Sequence, residues 1–253
     1  MSVKFGISFV PPKPSELAPL CVAAEAAGYD RIGLVDSQSI YRELWVSCAL
    51  AAGHTSRIKI GPRVTNPFTR HVSVTASATA TLEELAPHRV FLGIGTGDSA
   101  LGNLGMAAAS LGEMREAIGA MRAMLSGASA VYHGTDCRLN WSNYRVPIYM
   151  AAHGPRSLRL AGQIADGVVI GTGLTKDVVA YSLEMIAQGA AESGRSLADL
   201  DLWWLCCANL AESQDAALAE IQMMLAAMGH VLPKQAGNPN LVPPQYADAI
   251  QTL

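Results

Sequence analysis

The feature that most constrains the fold of this chain is a repeated alternation between short apolar runs and longer helix-like runs. Seven runs have the length and composition of strands, at residues 3–10, 31–35, 57–60, 89–94, 147–151, 167–171 and 202–209. A helix-like segment follows each of them, at 15–27, 42–52, 72–85, 111–125, 155–164, 175–193 and 215–228. Repeated strand–helix units predict a parallel sheet, and this many units favour a TIM-type (β/α) barrel over an open doubly wound sheet.

Two segments interrupt the alternation. Residues 126–146 predict an excursion outside the barrel that contains a small hairpin, and the segment from 229 onward is an irregular tail rich in Pro, Gly and Asn. No eighth apolar strand is visible after residue 228. We therefore expect a single barrel domain over 1–253 that lacks or alters its eighth strand. Either the chain is a shortened form, or its tail closes the barrel in a different way.

Composition narrows the classes of partner. The net charge of -3, without any Lys/Arg-rich run, argues against nucleic acid. Neither a signal peptide nor an apolar stretch of membrane-spanning length is expected. The five cysteines match neither a metal site nor a disulfide framework, so we expect mostly buried free thiols and a cytoplasmic protein. Only 15% of residues are charged, against about 25% on average, which favours a homodimer.

The loop after the third predicted strand, at residues 61–71, is the most informative local stretch. Two prolines and a glycine force an irregular turn, and Thr65, Asn66 and Arg70 place polar groups in it. Ligands of such folds bind at the carboxyl ends of the strands. The loop is therefore a candidate binding element, with a plain connection as the alternative.

Three glycine turns follow other predicted strands. The first, at residues 95–98, ends in Asp98, whose carboxylate accepts hydrogen bonds. The turns at 151–155 and 171–175 lead directly into helices, where free N–H groups and the helix dipole attract phosphate. We expect a small-molecule ligand with a phosphate at these two turns. The alternative is that all three are ordinary tight connections.

Asp36 follows the second predicted strand and is therefore expected at the same end of the barrel as the glycine turns, the end formed by the carboxyl ends of the strands. There it either positions a substrate or caps the next helix. The six histidines contain no HExxH or other paired spacing, so no catalytic metal is expected. Neither a GxSxG nucleophile elbow nor a GxGxxG dinucleotide fingerprint is present. The residues alone leave the reaction open.

Four segments together resemble the bacterial luciferase-like superfamily, in its branch of methylenetetrahydromethanopterin reductases and bacterial relatives. They are FGISFVP at 5–11, GPRVTNP at 61–67, TRH at 69–71 and LGIGTGD at 92–98. The resemblance implies a (β/α) barrel that binds FMN or the deazaflavin coenzyme F420. It also implies an oxidoreductase that carries out hydride transfer or monooxygenation on a small organic substrate. The alternative is a non-catalytic or truncated flavin-binding relative.

The resemblance also implies roles for individual residues. Val64 and Asn66 would lie against the flavin ring, and Asp98 near the ring and the substrate. The phosphate would sit at three glycines, namely Gly154, Gly171 and Gly173. Asp36 and Asp98 are the candidates for substrate positioning and catalysis.

Two further implications concern the backbone and the substrate. A non-prolyl cis peptide is expected between Arg63 and Val64, as in the relatives that use deazaflavin. The reductases carry an acidic residue where this chain has Ser8 and a histidine where it has Ser37, so a methanopterin substrate is not implied.

Overall fold

A computed structural model describes residues 3–171, 173–229, 232–233, 237–242, 247–248 and 250. Its elements up to residue 125 are β1 (Gly6–Phe9), α1 (Pro14–Ala26), β2 (Arg31–Leu34), α2 (Leu44–His54), β3 (Lys59–Pro62), α3 (Val72–Leu85), β4 (Leu92–Ile94), α4 (Ser99–Gly102) and α5 (Leu111–Leu125). The remaining elements are β5 (Ala130–Tyr132), β6 (Thr135–Cys137), β7 (Ile148–Ala152), α6 (Pro155–Ile164), β8 (Gly167–Ile170), α7 (Lys176–Glu192), a 3₁₀ turn (Leu197–Asp199), β9 (Asp201–Trp204) and α8 (Gln214–Gly229).

Residues 1–151 and 164–168 form one compact unit, and residues 152–163 and 169–253 form a second. The first unit contains the parallel sheet β1–β2–β3, in which Ile7 pairs with Ile32 and Ile32 with Ile60. A parallel bridge between Ile60 and Val90 continues the sheet towards β4, which pairs in parallel with β7. All four residues of β2 are buried, as parallel strands covered on both faces require.

The second unit contains the end of β8 and the strand β9, joined by a hydrogen bond from the Leu205 N–H to the Ile170 carbonyl. With β1, β2, β3, β4 and β7, the described residues contain seven strands of the βα series and no eighth. The parallel (β/α) architecture and the altered eighth strand are thus confirmed. The prediction of a single domain stays a prediction, and most of the tail after Gly229 lies outside the described residues.

Helix starts follow local chemistry that can be read in the sequence. Ser110 accepts from the Glu113 N–H while Glu113 accepts from the Ser110 N–H, a capping box that fixes the start of α5. Glu43 caps α2 by accepting from the Val46 N–H at 2.8 Å. The excursion forms the predicted hairpin, with β5 and β6 antiparallel.

Several strand boundaries differ from the prediction, and one short helix was not predicted. β1 is Gly6–Phe9 rather than 3–10, and β4 is Leu92–Ile94 rather than 89–94. β9 ends at Trp204 rather than at residue 209, because after Leu205 the chain leaves the ladder and Leu210 is 97% exposed. The short helix α4 was not expected, because its four residues are too few to show a helical period.

Candidate functional site

In the loop after β3, the side chain of Val64 packs against Gly93 and Gly95, here called the glycine platform. A Cβ atom at Gly95 would lie 2.9 Å from Val64 Cγ2, and one at Gly93 would lie 2.2 Å from the Pro62 carbonyl oxygen. Both positions of the β4 segment therefore exclude a side chain. Val64 itself is half-buried, so part of its apolar surface remains accessible. This arrangement fits the flat face of an aromatic ring.

The backbone beside Val64 is held to the β4 segment on both sides of Thr65. The Thr65 N–H donates to the Gly93 carbonyl at 3.0 Å, and the Gly95 N–H donates to the Thr65 carbonyl at 2.9 Å. The peptide bond between Arg63 and Val64 is cis, as the resemblance implied.

Asp36 lies under this loop in a buried ion pair. Its side chain is 3% exposed, and one carboxylate oxygen accepts from the Thr65 hydroxyl and from Arg70 Nη1, each at 2.7 Å. Arg70 Nη2 donates to Glu43 at 2.6 Å. Burial opposes the charge of Arg70, but its bonds to Asp36 and Glu43 outweigh this effect and raise its pKa. In the structure, the Asp36 carboxylate is therefore hydrogen-bonded to Thr65 and Arg70 of the same chain. Its predicted catalytic role stays a prediction.

Asn66 is 2% exposed and is bonded within its own loop. Its carboxamide oxygen accepts from the N–H groups of Phe68 and Thr69, and its Nδ2 donates to the Thr69 hydroxyl at 3.1 Å. This is an Asx-type turn, the pattern in which an Asn side chain stabilises a tight bend. The structure shows Asn66 as a residue that shapes the loop, and its contact with a ring stays a prediction.

Asp98 is exposed and begins α4. The preceding Gly97 has a φ of +89°, and a Cβ atom there would lie 2.3 Å from Leu101 Cδ1, so only glycine fits. The same Cβ would lie 3.4 Å from Asn66 Cβ, which shows how near the two loops are. Val64, Asn66 and Asp98 are thus brought together in the first unit.

A second set of contacts joins the loop after β2 to α4. The Ser99 hydroxyl donates to the Ser37 hydroxyl at 3.0 Å, and Gln38 Nε2 donates to the Ala100 carbonyl at 2.9 Å. Ser37 is buried, at 1% exposed. Sequence reasoning identified neither these contacts nor the role of Glu43. The sequence identifies Arg70 only as a polar group of the loop, because residues 34 positions apart reveal their pairing only in the fold.

The other predicted glycines lie in the second unit. Gly154 and Gly173 face open space, since no described atom lies within 4 Å of a Cβ built at either position. Gly173 has a φ of +108° and stands before α7, whose cap residue Thr175 makes no side-chain cap bond. A Cβ at Gly171 would lie 2.5 Å from His153 Cε1, so that glycine gives room to the histidine. These openings fit an anionic group, although the Gly154 N–H already donates to the Ser157 hydroxyl at 3.2 Å.

Other side-chain chemistry is sparse. In the part of the chain that the structure describes, no group of three His, Cys, Asp or Glu residues is placed to hold a metal ion, and no helix is long and apolar enough to cross a bilayer. All five cysteines are free. Cys21, Cys48 and Cys137 are buried as expected, whereas Cys206 is exposed and Cys207 is half-buried, because β9 ends before them.

Comparison with known proteins agrees with this geometry. A family profile described as luciferase-like monooxygenase matches residues 5–251. The chain belongs to this family. Among curated members of the luciferase-like family, a 5,10-methylenetetrahydromethanopterin reductase of Methanopyrus kandleri is 32% identical over 249 residues, covering 88% of this chain and 71% of that protein. An F420-dependent glucose-6-phosphate dehydrogenase of Beutenbergia cavernae is 35% identical over 213 residues, covering 75% of this chain and 62% of that protein.

Solved structures of luciferase-like proteins share the fold. The coenzyme F420 dependent tetrahydromethanopterin reductase of Methanopyrus kandleri superposes with a TM-score of 0.79 at 28% identity, covering all of this chain and 80% of its own. An F420-dependent secondary alcohol dehydrogenase reaches a TM-score of 0.81 at 17% identity, which shows the fold alone. The predicted family membership and fold class are confirmed.

Proposed function

We propose that this luciferase-like protein is an oxidoreductase that uses coenzyme F420 to transfer hydride to or from a small organic substrate. The observation that carries the proposal is the half-exposed face of Val64 on the Gly93 and Gly95 platform, which fits a flat ring. Relatives at 35% and 28% identity are named as F420-dependent, and this supports the deazaflavin over FMN. When bound, the cofactor supplies the hydride chemistry, and the protein supplies orientation and shielding.

The residues divide the work as follows in this proposal. Val64 supports the cofactor ring from one side, and Asn66 keeps the loop of Val64 in shape through its bonds to Phe68 and Thr69. Asp98 is the exposed carboxylate in the turn between β4 and α4, and it acts on the substrate as a hydrogen-bond acceptor. Asp36 contributes from beneath the loop, through its bond to the Thr65 hydroxyl.

The glycines of the second unit are proposed to bind the cofactor phosphate. Gly154 and Gly173 leave open space beside the starts of α6 and α7, where backbone N–H groups and the helix dipole favour an anion. Gly171 contributes indirectly, since its missing Cβ leaves room for the His153 ring.

Two further expectations belong to the proposal. The protein acts as a homodimer, which the low share of charged residues supports, and it works in the cytoplasm, which the free cysteines support. The substrate is a small organic molecule, and the resemblance described above implies that Ser8 and Ser37 lie at positions that differ from those of the reductases.

The function is tested by incubating the protein anaerobically with reduced F420 and a panel of small C=N and C=O acceptors. Oxidation of the cofactor is monitored as the loss of the absorbance of its reduced form. We expect turnover with at least one acceptor class. Val64→Asp should lower F420 affinity more than about tenfold, because a charged side chain would replace the apolar face. Val131→Asp is the control, since Val131 is already 68% exposed on the hairpin. Tight F420 binding without any turnover would instead favour a non-catalytic binding protein.

A further inference from the structure

We propose that Asp36, Ser37 and Gln38, here called the bridging segment, are positioning residues that hold two loops of the site through two separate arms. The first arm holds the loop after β3, and the second holds α4 with Asp98. The inference rests on the proposed function for its link to F420 and for the test of its first arm, whereas its second arm can be measured on the protein without cofactor.

The first arm runs from Asp36 to Thr65. The Thr65 hydroxyl donates to a carboxylate oxygen of Asp36 at 2.7 Å, and the backbone of Thr65 bonds to Gly93 and Gly95 on either side. The Asp36 side chain is only 3% exposed and also accepts from Arg70 at 2.7 Å. Asp36 therefore acts on the cofactor through Thr65 and its neighbour Val64, without touching the reacting atoms.

Arg70 and Glu43 anchor this arm. Arg70 Nη2 donates to Glu43 at 2.6 Å, and another oxygen of Glu43 accepts from the Val46 N–H at the start of α2. Loss of Arg70 would leave two carboxylates close together without their shared cation. The orientation of Asp36 is thus tied to the start of the 11-residue helix α2, which makes it a fixed support for the loop.

The second arm runs from Ser37 and Gln38 to α4. Ser37 accepts from the Ser99 hydroxyl, and Gln38 donates to the Ala100 carbonyl. α4 has only four residues and is closed by bonds from Leu101 and Gly102 to the Asp98 carbonyl. A helix this short is not stable by itself. The contacts from the bridging segment therefore fix its place and, with it, the direction of Asp98.

The arms should be separable, because they end on different loops. Thr65→Val removes only the donor of the first arm, while Thr65→Ser keeps it. We expect Thr65→Val to raise the Kd for F420 about fivefold or more, because a hydrogen bond to a carboxylate contributes at least as much as an ordinary one. Thr65→Ser should restore an affinity near that of the original protein. Equal affinities for the Val and Ser variants would overturn the first arm.

The second arm is tested by hydrogen exchange on the protein without cofactor. Ser37→Ala should speed exchange of the Leu101 and Gly102 amides about fivefold or more and leave the Thr65 amide unchanged. Ser99→Ala should have the same effect, and the double variant should add nothing, because the two residues share one bond. Ser126→Ala removes an exposed hydroxyl just after the end of α5 as the control.

The outcomes separate the two proposals. Unchanged exchange at Leu101 and Gly102 in Ser37→Ala would overturn the second arm, whatever the cofactor. If the original protein binds no F420 while the exchange pattern appears as expected, the proposed function fails and the second arm stands. If Ser37→Ala or Ser99→Ala sped up amide exchange both in α4 and at Thr65 in the loop after β3, the two arms would not be separate.

Discussion

Asn66 holds the loop after β3 in shape with its own side chain. Two backbone N–H groups and one hydroxyl bond to its carboxamide, which is almost fully buried. Replacing it removes partners that nothing else in the loop supplies. The residue therefore links local backbone shape to the face that Val64 presents.

At this scale we predict that Asn66→Ala lowers the free energy of unfolding by about 2 kcal/mol, since two half-buried N–H groups lose their acceptor. Asn66→Asp keeps an acceptor for Phe68 and Thr69, but it replaces the Nδ2 donor by an oxygen and adds a charge at a buried site, so it should cost less than Asn66→Ala without matching the original protein. Urea unfolding of the two variants measures the difference. Equal losses would mean that the carboxamide does not hold the turn.

The sequence predicted which residues lie close together at this site more accurately than it predicted the contacts that each residue makes. Asn66 and Asp98 were identified from their loops, and the structure brings those loops together. The pairing of Arg70 with Asp36 and Glu43 could not be predicted, because a salt bridge leaves no periodic trace and its members lie 34 and 27 residues apart.

At the scale of elements, Glu25 at the end of α1 ties that helix to the start of β3. Its carboxylate accepts from the N–H groups of Ser56, Arg57 and Ile58. Burial opposes ionisation of Glu25, but these backbone bonds outweigh it and lower its pKa from 4.5 to about 2. A carboxylate whose pKa is lower in the folded than in the unfolded protein stabilises the fold at any pH above its unfolded-state pKa. This contribution is lost as the pH falls towards the folded-state pKa.

We therefore predict that stability falls between about pH 4.5 and pH 2 partly through Glu25. Glu25→Gln should be less stable at pH 7 and should show a shallower decline over this range. Glu16→Gln on the same helix is the control. Denaturant unfolding at a series of pH values gives both curves, and parallel declines for Glu25→Gln and the original protein would contradict the prediction.

The loop before α7 gives a second prediction at this scale. Gly173→Asp places a negative charge where we propose phosphate, and it should weaken cofactor binding about tenfold or more. Gly173→Asn imposes the same backbone cost at a φ of +108° without the charge, so it isolates the electrostatic part. A flavin or deazaflavin titration in which the Asp and Asn variants bind alike would argue against phosphate at this loop.

Helices were predicted more accurately than strand ends. α3 and α5 have the predicted bounds, because a proline-rich loop precedes one and a capping box opens the other. β9 proved shorter because its apolar run continues past the last residue that has a ladder partner. Apolar composition alone does not show where a strand loses its neighbour.

At the scale of the whole molecule, exposed apolar side chains on α2 and α3 support the proposed homodimer. Val46 is 64% exposed and Val74 is 53% exposed. We predict a dimer at micromolar concentration by light scattering, and dissociation when Val46→Glu and Val74→Glu are combined. Val3→Glu is the control, at a position outside these helices that is 79% exposed. A monomer mass for the original protein would refute the proposal.

The central claim is that the protein binds F420 in preference to FMN. Its most direct test is an equilibrium binding measurement in which the two cofactors compete, with cofactor fluorescence as the readout. The account predicts that F420 binds at least about tenfold more tightly than FMN, a difference of about 1.4 kcal/mol. The preference should weaken in Val64→Asp and persist in Val131→Asp. Tighter binding of FMN, or no binding of F420 to a folded protein, would contradict the account.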